Sequence, residues 1–162
     1  MTTANAHEIL PGLWLGNAKA SMDSQFIQQQ GIQAVFNCTK TQPFHPMIPI
    51  KYRLPVDDNL EEDEIRNMEL WSTEIAYRIL NEYRAGRRVL VHCMAGIQRS
   101  AAAVAMTLIA HLRIHAGEAM QRIRQIRPIA FHPRANFLRA IETFDRRFHS
   151  EIAPILGNNR MQ

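Results

Sequence analysis

The chain has 162 residues, 46% of them hydrophobic, which is ample for one packed core and too few for two ordinary domains. Only two cysteines argue against a disulfide scaffold, and the opening residues carry neither the basic nor the apolar stretch of a secretion signal, so a cytoplasmic or nuclear protein is expected. The net charge of +4 is unevenly placed: residues 1–64 hold four basic and eight acidic side chains and residues 65–162 hold fifteen and seven, which suits an anionic ligand in the second part.

In chain order, short apolar runs at Leu13–Leu15 and Ile32–Asn37 read as strands. Thr41–Pro49, with its prolines, reads as a surface loop that overlooks any site at the strand ends, and Lys51–Val56 as a third strand. Glu61, Glu62, Asp63 and Glu64 put favourable negative charge at a helix N-terminus. Ile65, Met68, Trp71, Ile75, Ile79 and Tyr83 recur at helical spacing along one face, and Gly86 ends that helix. A buried strand follows at Arg88–His92, then an alanine-rich apolar helix from Ser100 to Leu112, about a dozen residues and too short to cross a bilayer. Met120, Ile123 and Ile126 mark the next helix, and Phe137, Ile141, Phe144 and Phe148 the last. Strands alternating with helices predict a single-domain α/β layered fold over 1–150, a central sheet of about 4–5 strands flanked by helices, with 151–162 as a frayed C-terminal tail.

Arg122, Arg124 and Arg127 read as a solvated helix face, and with no aromatics interleaved they do not predict specific nucleic-acid binding. Among the histidines only His111 and His115 have ligand-like spacing, without an accompanying carboxylate or cysteine, so no metal and no cofactor are expected. No membrane partner is expected either, and the sequence leaves the oligomeric state open.

Chemistry concentrates in His92-Cys93-Met94-Ala95-Gly96-Ile97-Gln98-Arg99-Ser100, which lies between the buried strand and the alanine-rich helix. On such a strand-loop-helix turn the backbone N–H groups of residues 94–99 point into one concavity at a helix N-terminus, a binding place for an oxyanion. Met94, Ala95, Gly96, Ile97 and Gln98 supply the cradle, and Arg99 adds a planar fork that grips two phosphoryl oxygens. A thiol facing such donors falls from about 8.5 to roughly 3.5–7.5, so Cys93 is a nucleophile near neutrality. Ser100 can hydrogen-bond the sulfur as it leaves, and His92 orders the loop from below. The adjacent Asp57 and Asp58 are candidates for the general acid, only one of which can point into the site.

Beyond the loop, Leu10-Pro11-Gly12-Leu13-Trp14-Leu15-Gly16-Asn17, Gly31-Ile32-Gln33-Ala34-Val35-Phe36-Asn37, Tyr52-Arg53-Leu54-Pro55-Val56-Asp57-Asp58, Arg127-Pro128 and Asn136-Phe137 all carry a likeness. Over roughly residues 8–148 the sequence resembles the dual-specificity protein phosphatases of the protein tyrosine phosphatase superfamily. The resemblance implies that fold, a phosphoprotein substrate, a Cys93 thiophosphate intermediate, and Asp58 rather than Asp57 as the acid, aligned on Leu54-Pro55-Val56. Two features depart from it. Gln98 stands where serine is common, bearing on substrate preference and on the second chemical step, and the stretch from acid to nucleophile is about four residues longer, one turn of the long helix. An RNA 5′-triphosphatase or a phosphoinositide phosphatase is the alternative enzyme, disfavoured because Met94, Ala95, Ile97 and Gln98 add no charge for a polyphosphate. A phosphoprotein-binding module with weak turnover is the alternative of another class. Cys38, at the end of the second strand, is expected to be a buried inert thiol, with a disulfide to Cys93 as the other reading.

Overall fold

The computed structural model describes residues 4–156. Its sheet has five strands, β1 (Ala6–Leu10), β2 (Leu13–Gly16), β3 (Ala34–Asn37), β4 (Ile50–Arg53) and β5 (Val89–His92), in the order β1-β2-β5-β3-β4. β1 runs antiparallel to β2 and every other pairing is parallel. β3 and β5 are buried throughout, as expected of parallel strands covered on both faces. Alternation then divides their side chains between two cores. Phe36, Val89 and Val91 face the large core beneath α3 (Glu62–Arg84), α4 (Arg99–Leu112), α5 (Ala116–Ile126) and α6 (Leu138–Arg147). Val35, Leu90 and Trp14 face a smaller one completed by Ile48 and by Ile27 of α2 (Ser24–Gln30), which follows the single turn α1 (Ala18–Ser21).

The two layers of helix and the central sheet match the expected fold class, and the long helix ends where expected, with Gly86 at φ 88°. β1 has no counterpart among the expected strands. Only Ile9 of its five residues is buried, so it lacks an alternating signal and is held as an edge by its ladder to β2. The segment 41–49 starts at the carboxyl ends of β3 and β4, where Asn37 Nδ2 and Arg53 both reach Gln42 O, and then turns away from them. Arg53 donates to Thr39 O and Gln42 O, His45 Nε2 meets Ser24 Oγ at 2.8 Å, and Ile48 is buried at 2% exposure, so the loop folds back over α2. α4 is buried from Ser100 to Ala110, its small side chains allowing α3, α5 and α6 to pack around it. After α6 a π-helical turn spans Phe148–Ile152 and residues 153–156 are helical, while 157–162, the rest of the expected tail, lie outside the described residues. Among the described residues no helix is long and apolar enough to cross a membrane.

Candidate active site

β5, flanked by parallel neighbours on both sides, delivers Cys93 to the carboxyl end of the sheet, where open α/β folds bind ligands. The cradle that follows is built by where its carbonyls go. Cys93 O faces His92 Nδ1 (3.3 Å), Met94 O accepts from Ala18 N–H (3.1 Å), and Ala95 O and Gly96 O accept from Arg127 (3.2 and 2.8 Å). Ile97 O accepts from Phe131 N–H (2.8 Å) and Gln98 O from Ala102 N–H (2.9 Å). Six consecutive carbonyls are thus tied outward to the scaffold, leaving the N–H groups between them to the inner side, at the N-terminus of α4. Gly96 makes the turn at φ 69°. A Cβ there would lie 2.6 Å from Gly16 O and 2.8 Å from Arg127 Nη2, so no other residue fits.

Cys93 is 2% exposed with Sγ 3.1 Å from Ser100 Oγ. Burial alone would push the thiol up, but the Ser100 hydroxyl and N–H, the Arg99 guanidinium and the Gly96 N–H together outweigh it and the thiol titrates below its ordinary value. Arg99 Nη1 donates to Val56 O (3.0 Å), while its buried Nε has no partner among the described residues. His92 is fully buried, and burial, only partly offset by its bond to Cys93 O, holds the imidazole down at about 4, neutral under ordinary conditions.

The two aspartates separate cleanly. Asp57 turns to Lys40 (3.2 Å), and Glu64, in the first turn of α3, accepts its N–H (2.8 Å). Asp58 lines a cavity of about 360 Å³ together with Cys93, Arg99, Ala95 and Asn136, and Oδ1 accepts from Asn136 Nδ2 at 2.9 Å. Met94, Ile97 and Gln98 complete that wall with His132 and Pro133. A larger groove of about 590 Å³ runs along α3 between Thr73 and Arg84, but it holds neither Cys93 nor Asp58.

Sequence reasoning missed two participants. Arg127, read as part of a solvated face, is the largest fully buried side chain. Its guanidinium reaches Gly96 O, Ala95 O, Ala4 O and His7 Nδ1, and sits behind the cradle as its backing. Spacing from Met120 and Ile123 places Arg127 on the buried face of α5, apart from the exposed Arg122 and Arg124, but it does not show what the guanidinium binds. Asn136 is 78 residues from the carboxylate it holds, and no local pattern points from one to the other. The histidine pair also rearranges. His111 Nδ1 meets Arg84 Nε, and His115 joins Asp145 and His149 instead. Asp145 there caps α5 through Ala116 N–H (3.0 Å), and the two imidazoles lie with centroids 3.9 Å apart, tilted by 32°, so the group has a structural part in joining α5 to the end of α6. Cys38 is buried beside β5, its N–H donating to His92 O, and burial pushes its thiol well up.

A cysteine set in a backbone phosphate cradle at the end of the central strand of this sheet defines the architecture of the cysteine-based phosphatases of the protein tyrosine phosphatase superfamily. Comparison narrows the class. The family model described as "Dual specificity phosphatase, catalytic domain" matches residues 13–147, and the chain belongs to that family. It is 37% identical over 123 residues to dual specificity protein phosphatase 2 of Mus musculus, covering 75% of this chain and 37% of that protein. The corresponding protein of Homo sapiens is 34% identical over 139 residues, 85% of this chain and 43% of its own length. The chain therefore spans about two-fifths of the curated relatives it matches. The crystal structure of human DUSP28 shares the fold, with a TM-score of 0.79 at 24% identity over 92% of this chain and 98% of that one.

Proposed function

We propose that the chain is a cysteine-dependent protein phosphatase of dual specificity, acting on phosphotyrosine and on phosphoserine and phosphothreonine monoesters. The observation that carries this is the meeting of Cys93, Arg99 and Asp58 in one cavity while Asp57 is turned away to Lys40. Substrate phosphate sits in the cradle of residues 94–99 with Arg99 on two of its oxygens. The Cys93 thiolate attacks phosphorus, the P–O bond to the side chain breaks, and the Asp58 carboxyl gives its proton to the departing oxygen. Water then attacks the thiophosphate, Asp58 takes the proton from it, and the P–S bond breaks to return the thiolate, which the Ser100 hydroxyl receives at 3.1 Å. The charge is supplied by Arg99, backbone donors and a helix N-terminus, so no cofactor enters the scheme. Residues 1–150 form the catalytic domain, and phosphoproteins of the cytoplasm or nucleus are its partners.

The test is pre-steady-state hydrolysis of p-nitrophenyl phosphate in the presence of a chelator. A burst of nitrophenolate followed by steady turnover is expected, with Cys93→Ser inactive yet still binding vanadate. Dependence on added zinc or manganese, or activity that survives Cys93→Ser, overturns the mechanism.

A further inference from the structure

Gln98 occupies the N-cap position of α4 without capping it. Its side chain, 6% exposed with its residue, is instead spent on the irregular segment 132–136. Nε2 donates to His132 O (3.2 Å) and Arg134 O (2.8 Å), and Oε1 accepts from Asn136 N–H (2.9 Å). Both donors and the acceptor are engaged, so one side chain brackets five residues of backbone. At the end of that bracket Asn136 Nδ2 donates to Asp58 Oδ1. The neighbouring residue acts on the segment of Asp58 itself, since Arg99 Nη1 holds Val56 O two positions before that carboxylate.

From this chain of contacts we infer that Gln98 is a positioning residue for the acid step: it fixes Asn136, and Asn136 fixes the Asp58 carboxylate. The inference rests on Asp58 being the acid, as proposed above. Because Oδ1 accepts the Asn136 N–H, the transferable proton belongs on Oδ2, and the same bond sets which carboxylate oxygen faces the leaving group. A serine at 98 cannot substitute, because one hydroxyl on a short stem replaces neither the second donor nor the reach to Asn136. The acid segment is thereby tied to two consecutive residues of the phosphate cradle, one through its backbone and one through its carboxylate. Misplacement of a reacting group by about 1 Å is enough to cost up to 10²-fold, so the loss of such a tie is measurable.

The experiment compares phenyl phosphate, whose leaving group needs a proton, with p-nitrophenyl phosphate, which needs little. Gln98→Leu keeps the wall volume and removes all three bonds, and Asn136→Ala removes the next link. Each is expected to lower kcat on phenyl phosphate about tenfold or more, a part of the ~10²–10⁴-fold an acid supplies, with a clearly smaller loss on p-nitrophenyl phosphate and little change in KM. Combined with Asp58→Asn, Gln98→Leu should add nothing further on phenyl phosphate. Should Gln98→Leu not fold, Gln98→Ser carries the same expectation. Equal losses on both substrates, a change confined to KM, or full additivity with Asp58→Asn overturns the positioning part alone. If Asp58→Asn itself shows no leaving-group bias, the acid assignment falls and takes this inference with it.

Discussion

Asp57 and Asp58 are the same residue type one position apart, and what separates them is company. Lys40 and Glu64 occupy Asp57, while Asn136 presents Asp58 to the cavity of Cys93. Asp58→Asn should therefore cost on the order of 10²-fold or more on phenyl phosphate and less on p-nitrophenyl phosphate, with Asp57→Asn showing no such bias. The reverse pattern in steady-state kinetics would move the acid to Asp57. His92 allows a second prediction. An unfolded histidine titrates near 6.5 and the buried one at about 4, so between these values the unfolded chain takes up a proton that the folded chain refuses. Stability is unaffected above pH 6.5 and falls as pH drops toward 4, by on the order of 3 kcal/mol. His92→Asn, which can keep a bond to Cys93 O, should flatten that part of the melting temperature profile, and an unchanged profile would refute the assignment. Cys93, Arg99 and Ser100 were legible because their chemistry is packed into eight consecutive residues of sequence. Asn136 was not, because its part is defined only by a partner across the fold.

Elements hold this site more than any single bond does. β5 and α4 bring the cradle, the 54–58 segment between β4 and α3 brings Asp58, the proposed acid, and Arg127 at the end of α5 ties the cradle to β1 through His7. Arg127→Lys would leave one ammonium to serve Ala95 O, Gly96 O and Ala4 O, which its point-like head cannot do at once. We expect a loss on the order of 2–4 kcal/mol from unpaired buried carbonyls, together with vanadate affinity reduced at least about tenfold. A variant as stable and as tightly binding as the parent would show that the backing is dispensable. The strands β3 and β5 and the helix α4 could be read as continuous apolar runs, and α3, α5 and α6 from periodicity because each buries a defined face. β1 could not, since a polar edge strand exists by its ladder alone, and the fold-back of 41–49 depends on a histidine–serine contact 21 residues apart. Arg127 failed by the same logic: periodicity locates a side chain on a helix but not whether a loop from elsewhere covers it.

On the scale of the whole molecule, the cavity that holds Cys93 takes no wall residue from 41–49 among the described residues. Its walls come from the cradle, Asp58 and 132–136 alone, and Met94 on its rim is 51% exposed. Under the function proposed above, a site walled by three short segments should admit the phenyl ring of phosphotyrosine and the shorter phosphothreonine side chain alike. The phenolate is the better leaving group, however, and needs less help from Asp58. Matched peptides differing only in phosphotyrosine or phosphothreonine should both be hydrolysed, phosphotyrosine with the higher kcat/KM, and Asp58→Asn should widen the gap between them because the alkoxide depends more on the proton. Turnover of phosphotyrosine with none of phosphothreonine, on any peptide, would overturn the dual specificity proposed above.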